Sequence, residues 1–378
     1  MTNHKDIAVL ALGIVVLAAC GSSSKSGSSS TTTTAAPTTT AAGQTTTTRS
    51  VPASSPTTPV PPTTAGGTTT APTNTSPALS ATFVSTQTGY ALEQNGTIAG
   101  TTDGGHSWHR VGKLPTTGPD ETIRYIDAAD GFAFAPLSGP LRITHDNGAT
   151  WTNVTTPFAS VADLAIARGT IYVVALNSTQ PRAFGIWSTP VAHLVWKRDP
   201  LTLSVGAGPD PAEQIVLNGG RGWIVDVNRT TIAGARLASN GTWAKWNPPC
   251  FGKNGPDFLS ASTSVDLFAT CEEGLWGPPA HAKTVYVSHD GGTTFSRHLA
   301  PEFGPVMSAT ANSAVVAGNL GHLQHTTDGG ATWTVVATFG SDAADLGFTS
   351  TTQGFDITGG RMLMTSDAGA TWRRVSLP

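Results

Sequence analysis

Charged side chains are scarce in this sequence: they make up 12% of 378 residues, and the net charge is −3. No stripe of lysine and arginine is present, which excludes the electrostatic surface that nucleic-acid binding requires. The three cysteines are too few for a cysteine-rich zinc site. The motifs Gly-x-Ser-x-Gly, His-Glu-x-x-His and Gly-x-Gly-x-x-Gly are also missing. We therefore expect no metal, no cofactor and no nucleic-acid partner.

Long hydrophobic runs are absent apart from one at the N-terminus. The apolar stretch Ile7–Ala19 follows Lys5 and is too short for a standard transmembrane helix. It ends in Leu17-Ala18-Ala19-Cys20, which matches the bacterial lipobox, where the cysteine is lipidated and the chain is cleaved before it. We expect residues 1–20 to be a lipoprotein signal peptide and the protein to be extracytoplasmic and anchored to the bacterial membrane. The alternative is an ordinary secretory signal in which Cys20 is incidental.

Aromatic residues are absent from residues 21–79, which consist mainly of Ser, Thr, Ala, Pro and Gly. Such a segment cannot bury enough apolar surface to offset the entropy of ordering it. We expect a disordered tether whose hydroxyls are open to glycosylation, although an inert linker would have the same composition. The remaining residues, 80–378, form the predicted folded domain.

That domain contains five copies of one eight-residue phrase, [ST]-x-D-x-G-x-[TS]-[WF]. The copies are 101–108, 144–151, 288–295, 326–333 and 365–372. The phrase is typical of a hairpin turn, because an Asp side chain can accept backbone N–H groups and Gly permits a left-handed backbone. The aromatic residue then anchors the second strand. The positions that the five turns share are Asp103, Gly105 and Trp108; Asp146, Gly148 and Trp151; Asp290, Gly292 and Phe295; Asp328, Gly330 and Trp333; and Asp367, Gly369 and Trp372.

Five equivalent aspartates in five separate turns cannot share one active site, so we interpret the phrase as structural. Its spacing is typical of a repeat architecture: 43 residues separate Trp108 from Trp151, and 39 separate Trp333 from Trp372. The 144 residues from Trp151 to Phe295 leave room for two blades without the phrase. The first would contain Val161–Ala167, Thr170–Asn177, Phe184–Thr189 and Val195–Asp199, with Trp196 as its anchor. The second would contain Gln214–Asn218, Gly222–Asn228, Ile232–Leu237 and Thr242–Trp246, with Trp243 or Trp246 as its anchor.

Short strands rich in Val, Ile, Phe, Thr and Tyr between Gly, Asn and Asp turns indicate an all-β fold. The sequence predicts a seven-bladed β-propeller with four-stranded antiparallel blades, and we expect a monomer. The phrase resembles the Asp-box, or BNR repeat, of sialidase-like propellers. That resemblance implies that each repeated turn joins the third and fourth strands of a blade, on the same face as the first-to-second turns.

Resemblance to sialidases would imply an arginine triad, a Tyr–Glu nucleophile pair and an Arg-Ile-Pro motif. No Arg-Ile-Pro occurs, and all four tyrosines lie in strand-like runs. A glycoside hydrolase with two opposed carboxylates is the alternative function that we retain. Its candidate carboxylates lie in no recognisable motif and are expected to be solvated loop charges; they are Glu93, Asp120, Glu121, Asp210, Glu272, Glu273 and Asp345. His322 and His325 are expected to be surface histidines.

The repeated string of a Gly-aromatic pair, as at Gly89-Tyr90 and Gly354-Phe355, and the phrase best seen at Thr326–Trp333 is similar to the photosystem II stability/assembly factor propellers and their non-photosynthetic relatives. That similarity implies a non-catalytic propeller that binds proteins. We expect an envelope protein or a surface glycan as the partner, and the face opposite the repeated turns as the binding face, since variable loops on a rigid scaffold carry function. The candidate ligand residues on that face are Trp276, Glu272, Arg182, Arg229 and Arg361. Cys250 and Cys271 are expected to form a disulfide in this exported domain, with free thiols as the alternative.

Overall fold

The computed structural model describes residues 76–378 apart from 116, 119, 179–182, 205–210, 229, 252–257, 274–281, 301 and 340–342. These residues form 28 strands, arranged as seven four-stranded sheets. Every pairing between neighbouring strands is antiparallel, and each sheet is made of four consecutive strands. The predicted seven-bladed propeller is therefore confirmed. We number the sheets as blades 1 to 7 in chain order.

Blades 1 to 3 contain the first twelve strands. The strands of blade 1 are β1 (Ala78–Phe83), β2 (Gly89–Glu93), β3 (Thr97–Thr101) and β4 (His109–Lys113). Those of blade 2 are β5 (Thr122–Tyr125), β6 (Gly131–Ala135), β7 (Ser138–Thr144) and β8 (Thr152–Asn153). Those of blade 3 are β9 (Ser160–Ala167), β10 (Thr170–Leu176), β11 (Ala183–Pro190) and β12 (Lys197–Ser204).

Blades 4 and 5 follow the same order. The strands of blade 4 are β13 (Pro211–Asn218), β14 (Arg221–Asn228), β15 (Thr230–Leu237) and β16 (Trp243–Lys245). Those of blade 5 are β17 (Phe258–Ala261), β18 (Leu267–Glu273), β19 (Ala282–Ser288) and β20 (Ser296–Leu299). Blades 3 and 4 are thus complete although neither carries the repeated phrase, as the sequence predicted.

Blades 6 and 7 complete the ring. The strands of blade 6 are β21 (Val306–Ser308), β22 (Ala314–Ala317), β23 (His322–Thr326) and β24 (Thr334–Thr338). Those of blade 7 are β25 (Ala343–Phe348), β26 (Gly354–Thr358), β27 (Arg361–Thr365) and β28 (Arg373–Arg374). Within the described part of the chain, no helix is long and apolar enough to cross a bilayer.

Burial decreases from the first strands to the fourth. All five residues of β2 and of β26 are buried, whereas most residues of β4 and β24 are exposed or half-buried. First strands of neighbouring blades contact each other, so they line the central axis and the fourth strands form the outer rim. The core lies between blades: Phe83 of blade 1 stacks on Phe355 of blade 7, with ring centroids 5.9 Å apart.

Blade 1 and blade 7 each keep their own four strands, so no strand is shared where the ring closes. Hydrogen bonds close it instead. The Ala78 amide donates to the Gly360 carbonyl at 2.9 Å, and the Arg373 guanidinium donates to the Gly105 carbonyl at 2.9 Å. Gln353 also donates to the Gly104 carbonyl at 3.3 Å. The seam between blades 7 and 1 therefore depends on side-chain contacts and turns more than on a continuous sheet.

Candidate functional site

The five eight-residue phrases, hereafter the repeat turns, have the same hydrogen bonds. In the turn of blade 6, Asp328 Oδ1 accepts the Thr332 amide at 2.9 Å and Oδ2 accepts the Thr332 hydroxyl at 2.6 Å. Thr326 donates its hydroxyl to Asp328 Oδ1 at 2.8 Å and accepts the Gly330 amide at 3.0 Å. These bonds lower the pKa of Asp328 to about 2, the Thr332 hydroxyl being the main cause. The aspartate is thus an acceptor that holds the turn closed.

The same bonds recur at the other four turns. The aspartate Oδ2 accepts the hydroxyl of Ser107, Thr150, Thr294 and Thr371 at 2.6, 2.6, 2.7 and 2.6 Å respectively. The glycine of each turn has a positive φ, from +82° at Gly105 to +95° at Gly369. Both carboxylate oxygens of each aspartate are committed to the turn, which leaves them no acid–base role.

The anchors differ in one blade. In four turns the indole N–H donates to the glycine carbonyl of its own turn: Trp108 to Gly105 at 3.3 Å, Trp151 to Gly148 at 3.1 Å, Trp333 to Gly330 at 3.0 Å and Trp372 to Gly369 at 2.9 Å. Phe295 of blade 5 has no such donor. There the Gly292 carbonyl accepts the indole N–H of Trp246, from blade 4, at 2.8 Å. The sequence could not distinguish Trp243 from Trp246 as an anchor, and the structure gives them different partners.

Trp243 is buried and packs edge-on against Tyr172 of blade 3. Trp196 of blade 3 packs edge-on against Phe158, with ring centroids 5.1 Å apart. The aromatic anchors of blades 3 and 4 therefore pack edge-on against another aromatic ring. The sequence shows the aromatic positions but not these partners, because Tyr172 lies in a different blade from Trp243 and Phe158 lies 38 residues before Trp196.

The repeat turns and the first-to-second turns share a face. The Gly104 amide donates to the Gln87 carbonyl, and the Gly329 amide donates to the Asn312 carbonyl. Second strands therefore end at the opposite face, where the second-to-third turns and the connections between blades lie. We call this the loop face.

Two of the five predicted ligand residues lie at the loop face in the described structure. Arg361 begins β27 and is exposed, and the backbone of Glu272 lies near the end of β18. Arg182, Arg229 and Trp276 lie outside the described residues. Whether these five residues bind a ligand stays a prediction.

Three exposed apolar side chains at the loop face of blades 5 and 6 were not singled out from the sequence. Leu299 is 71% exposed at the end of β20, Leu320 is 63% exposed in the β22–β23 turn, and Phe251 is 46% exposed in the connection between blades 4 and 5. We call these three residues the apolar rim. Leu320 stands between Asn319 and Gly321, and an apolar residue in such a polar turn was the available signal.

Glu302 holds the turn that presents Leu320. Its buried carboxylate accepts the Leu320 amide at 3.3 Å through Oε2 and bonds His322 Nδ1 through Oε1. Gly318 packs directly against this carboxylate, where a Cβ would overlap it. Lys283 of β19 donates to Asn319 at 3.3 Å and so ties blade 5 to the same turn. The exposed leucine therefore sits on a fixed backbone.

A disulfide fixes the neighbouring connection. Cys250 and Cys271 are bonded, with Cα atoms 5.7 Å apart, and both are buried. Cys271 of β18 pairs in register with Thr284, which in turn pairs with Leu299. The bond therefore attaches the loop of Phe251 to the row of residues that ends in Leu299.

Several acidic residues expected in solvent are buried, and that expectation was wrong. Glu93, Glu121 and Asp345 are all less than 5% exposed. Glu121 pairs with Arg142 at 2.8 Å, and burial raises the pKa of Glu93 to about 7. The prediction for His325 was also wrong, since it is buried and bonds Ser313 at 3.0 Å. Among the described residues, no group of three or more His, Cys, Asp or Glu side chains is arranged to hold a metal ion.

Solved structures with the same architecture support the fold. YCF48 bound to D1 peptide is similar with a TM-score of 0.57 at 17% identity, covering 78% of this chain and 94% of that chain. YCF48 from Cyanidioschyzon merolae gives 0.56 at 12% identity, covering 77% and 95%. An ancestral GH74 enzyme gives 0.54 at 12% identity, covering 80% of this chain but 46% of the enzyme. No protein-family model and no curated protein matches the chain.

Proposed function

We propose that this protein is a non-catalytic binding module of the cell envelope that holds a protein partner on its loop face. The observation that carries the proposal is the apolar rim. Large apolar side chains held exposed on fixed backbone are typical of protein interfaces, because burying each against a partner stabilises the complex by about 1.5–3 kcal/mol. Among the described residues, the other three exposed large hydrophobics, Val195, Val265 and Val335, lie on the repeat-turn face and on an outer strand.

A protein partner fits this surface better than a glycan. Glycan binding would favour several exposed aromatic rings and paired polar groups, whereas the apolar rim consists of two leucines and one phenylalanine. YCF48, a propeller with a similar fold, binds the D1 peptide, which is a precedent for peptide binding on this architecture.

The alternative, a glycoside hydrolase, needs two carboxylates that can reach a sugar. Two buried carboxylates on first strands, Asp163 and Asp345, accept hydrogen bonds from the following blade. These two acids hold neighbouring blades together, which favours a structural role for them over contact with a sugar.

We propose an extracytoplasmic location at the bacterial cell membrane, with Cys20 lipidated and the residues between Cys20 and β1 acting as the tether. Metabolic labelling with an alkyne fatty acid tests this directly. We expect the wild-type protein to be labelled and Cys20→Ala to be unlabelled. Label that persists in Cys20→Ala would overturn the proposed anchor while leaving the binding proposal intact.

Site-specific photo-crosslinking tests the binding face. A benzophenone side chain is placed at Leu320 and, as a matched control, at Val335 of the same blade, which is 53% exposed on β24. We expect one defined adduct in envelope preparations from position 320 and none from 335. Equal adducts from both positions, or an adduct from 335 alone, would reject the loop face as the binding surface. Trp276→Ala then tests whether the segment between β18 and β19 contributes to the same adduct.

A further inference from the structure

Side chains on the first strands clamp one blade to the next around the axis. In five seams of the described structure, a polar side chain of one blade accepts a backbone amide from the first strand of the following blade. The acceptors and donors are Ser80 and Ile123 at 3.4 Å, Asp163 and Ile215 at 2.9 Å, Gln214 and Leu259 at 2.8 Å, Ser260 and Ser308 at 2.8 Å, and Asp345 and Ala81 at 3.0 Å. The accepting group differs between seams: two are carboxylates, one is an amide and two are hydroxyls.

The clamp at Asp345 closes the ring. Asp345 Oδ2 also accepts the Ser80 hydroxyl at 3.0 Å and lies 3.8 Å from Nη1 of Arg124 in blade 2. Arg124 Nη1 in turn donates to Ser80 at 3.3 Å. Blades 7, 1 and 2 therefore meet at one buried polar junction, where the last blade of the chain meets the first.

The charges around this junction do not balance. Arg124 faces it from β5, Asp163 from β9 and Asp356 from β26, while β1 and β21 contribute no titratable side chain. Asp345 and Asp163 thus share the charge of one buried guanidinium, and Asp356 interacts with Asp345. Nε and Nη2 of Arg124 have no hydrogen-bond partner among the described residues. One arginine can compensate one carboxylate, and each further buried charge is costly.

We propose that this junction is a proton-controlled closure of the propeller ring, in which ionisation of the surplus carboxyls favours opening between blades 7 and 1. Burial raises the pKa of Asp163 and of Asp356 to about 7, and burial likewise raises that of Asp345. Opening lets water reach these groups and returns them toward ordinary acidity, so opening releases protons. A process that releases protons is favoured as pH rises.

The seam between blades 4 and 5 is an internal control for the seam between blades 7 and 1. The Leu259 amide is bonded to Gln214, which does not titrate, in the same structural role that Asp345 has for the Ala81 amide. Amide hydrogen exchange of the full chain is measured at pH 5 and pH 8 and corrected for the intrinsic effect of pH. We expect protection of the Ala81 amide to fall about tenfold or more between these values, while protection at Leu259 changes less than about twofold.

Two variants separate the proposal from general instability. Asp356→Asn removes one titrating group but keeps its size, and should reduce the fall in protection at Ala81 between pH 5 and pH 8. Gln214→Glu places a titrating group in the control seam and should make the Leu259 amide pH-sensitive. Equal changes at Ala81 and Leu259 in the wild-type protein, or no effect of Gln214→Glu on Leu259, would overturn the proposal.

Discussion

At the level of single residues, each repeat turn closes a hairpin and packs against the preceding blade. The aspartate satisfies the turn's amide and hydroxyl groups, the glycine supplies the left-handed backbone, and the indole bonds the glycine carbonyl. The sequence predicted these roles because each follows from local chemistry. It could not predict that the turn also packs against the preceding blade, as Gly369 does against Val315.

Gly369→Ala tests this packing. Gly369 has a φ of +95° and an added Cβ would overlap Val315, whereas Gly241 has a φ of +81° and nothing within 4 Å. Both substitutions incur backbone strain, but only the first adds overpacking. We expect Gly369→Ala to lower the free energy of unfolding by about 1–3 kcal/mol more than Gly241→Ala does. Denaturant titration measures the free energy of unfolding of both variants. Equal losses would mean that the turn of Gly369 is not tightly packed against Val315.

Trp246 gives a second prediction at this scale. Trp246→Phe removes the donor to the buried Gly292 carbonyl and should cost about 1–3 kcal/mol. Adding Phe295→Trp restores a tryptophan at the position that it occupies in the other repeat turns, so the double variant should regain part of that loss. Thermal unfolding of the single and double variants measures the coupling. If the stability changes of Trp246→Phe and Phe295→Trp simply add, a tryptophan at position 295 does not replace the lost donor of Trp246.

At the scale of the element, the strands followed from the sequence more fully than their partners did. Alternation and turn residues placed the hairpins of blades 3 and 4 without the repeated phrase, and the observed β10 and β14 lie close to the predicted ranges. The first strand, β1, begins at Ala78, two residues before the boundary expected at 80. Inter-blade contacts such as Trp246 with Gly292 join residues 46 positions apart, and no local pattern encodes them.

The disulfide belongs to this scale because it ties a connection between blades to a strand. The loop that it closes spans 21 residues. Replacing both cysteines by alanine should cost about 2–4 kcal/mol, chiefly by releasing the unfolded chain. Calorimetry of Cys250→Ala/Cys271→Ala against the wild-type protein measures the loss, with thiol counting after denaturation as the control. Two free thiols in the unreduced, denatured wild-type protein would contradict the pairing.

At the scale of the whole molecule, two sets of acids oppose each other in their effect on stability. The repeat-turn aspartates have lowered pKa values through the hydrogen bonds that they accept, so their contribution is lost as pH falls below about 4. The inner-strand acids Asp163 and Asp356 have pKa values raised to about 7 by burial. Their effect is the reverse: stability falls as pH rises from the unfolded value of 3.8 to about 7.

These two opposing effects predict a melting temperature that is highest near pH 4 and declines toward both pH 2 and pH 8. Differential scanning calorimetry across this range measures the profile. Asp163→Asn should reduce the decline of the melting temperature above pH 5 and leave its decline at acid pH unchanged. A melting temperature that rises steadily to pH 8 would contradict the assignment of raised pKa values to the inner strands.

The candidate site was the least predictable part of the molecule. Exposure of Leu320 depends on the buried Glu302 carboxylate, which the sequence offers only as one more acid before a strand. The burial of Glu93 and Asp345 had no local signal either, because other blades enclose them. Local chemistry therefore identifies the face that carries the repeat turns, while the opposite face is defined by contacts between distant residues.

Binding at the apolar rim of the loop face is tested by the affinity of two matched variants for the crosslinked partner. Leu320→Asp places a charge on the rim, and Val335→Asp places the same charge on the outer strand of the same blade. We expect Leu320→Asp to weaken binding about tenfold or more, corresponding to about 1.4 kcal/mol or more, and Val335→Asp to change it less than about twofold. Equal affinities for the two variants, with both folded, would contradict the account.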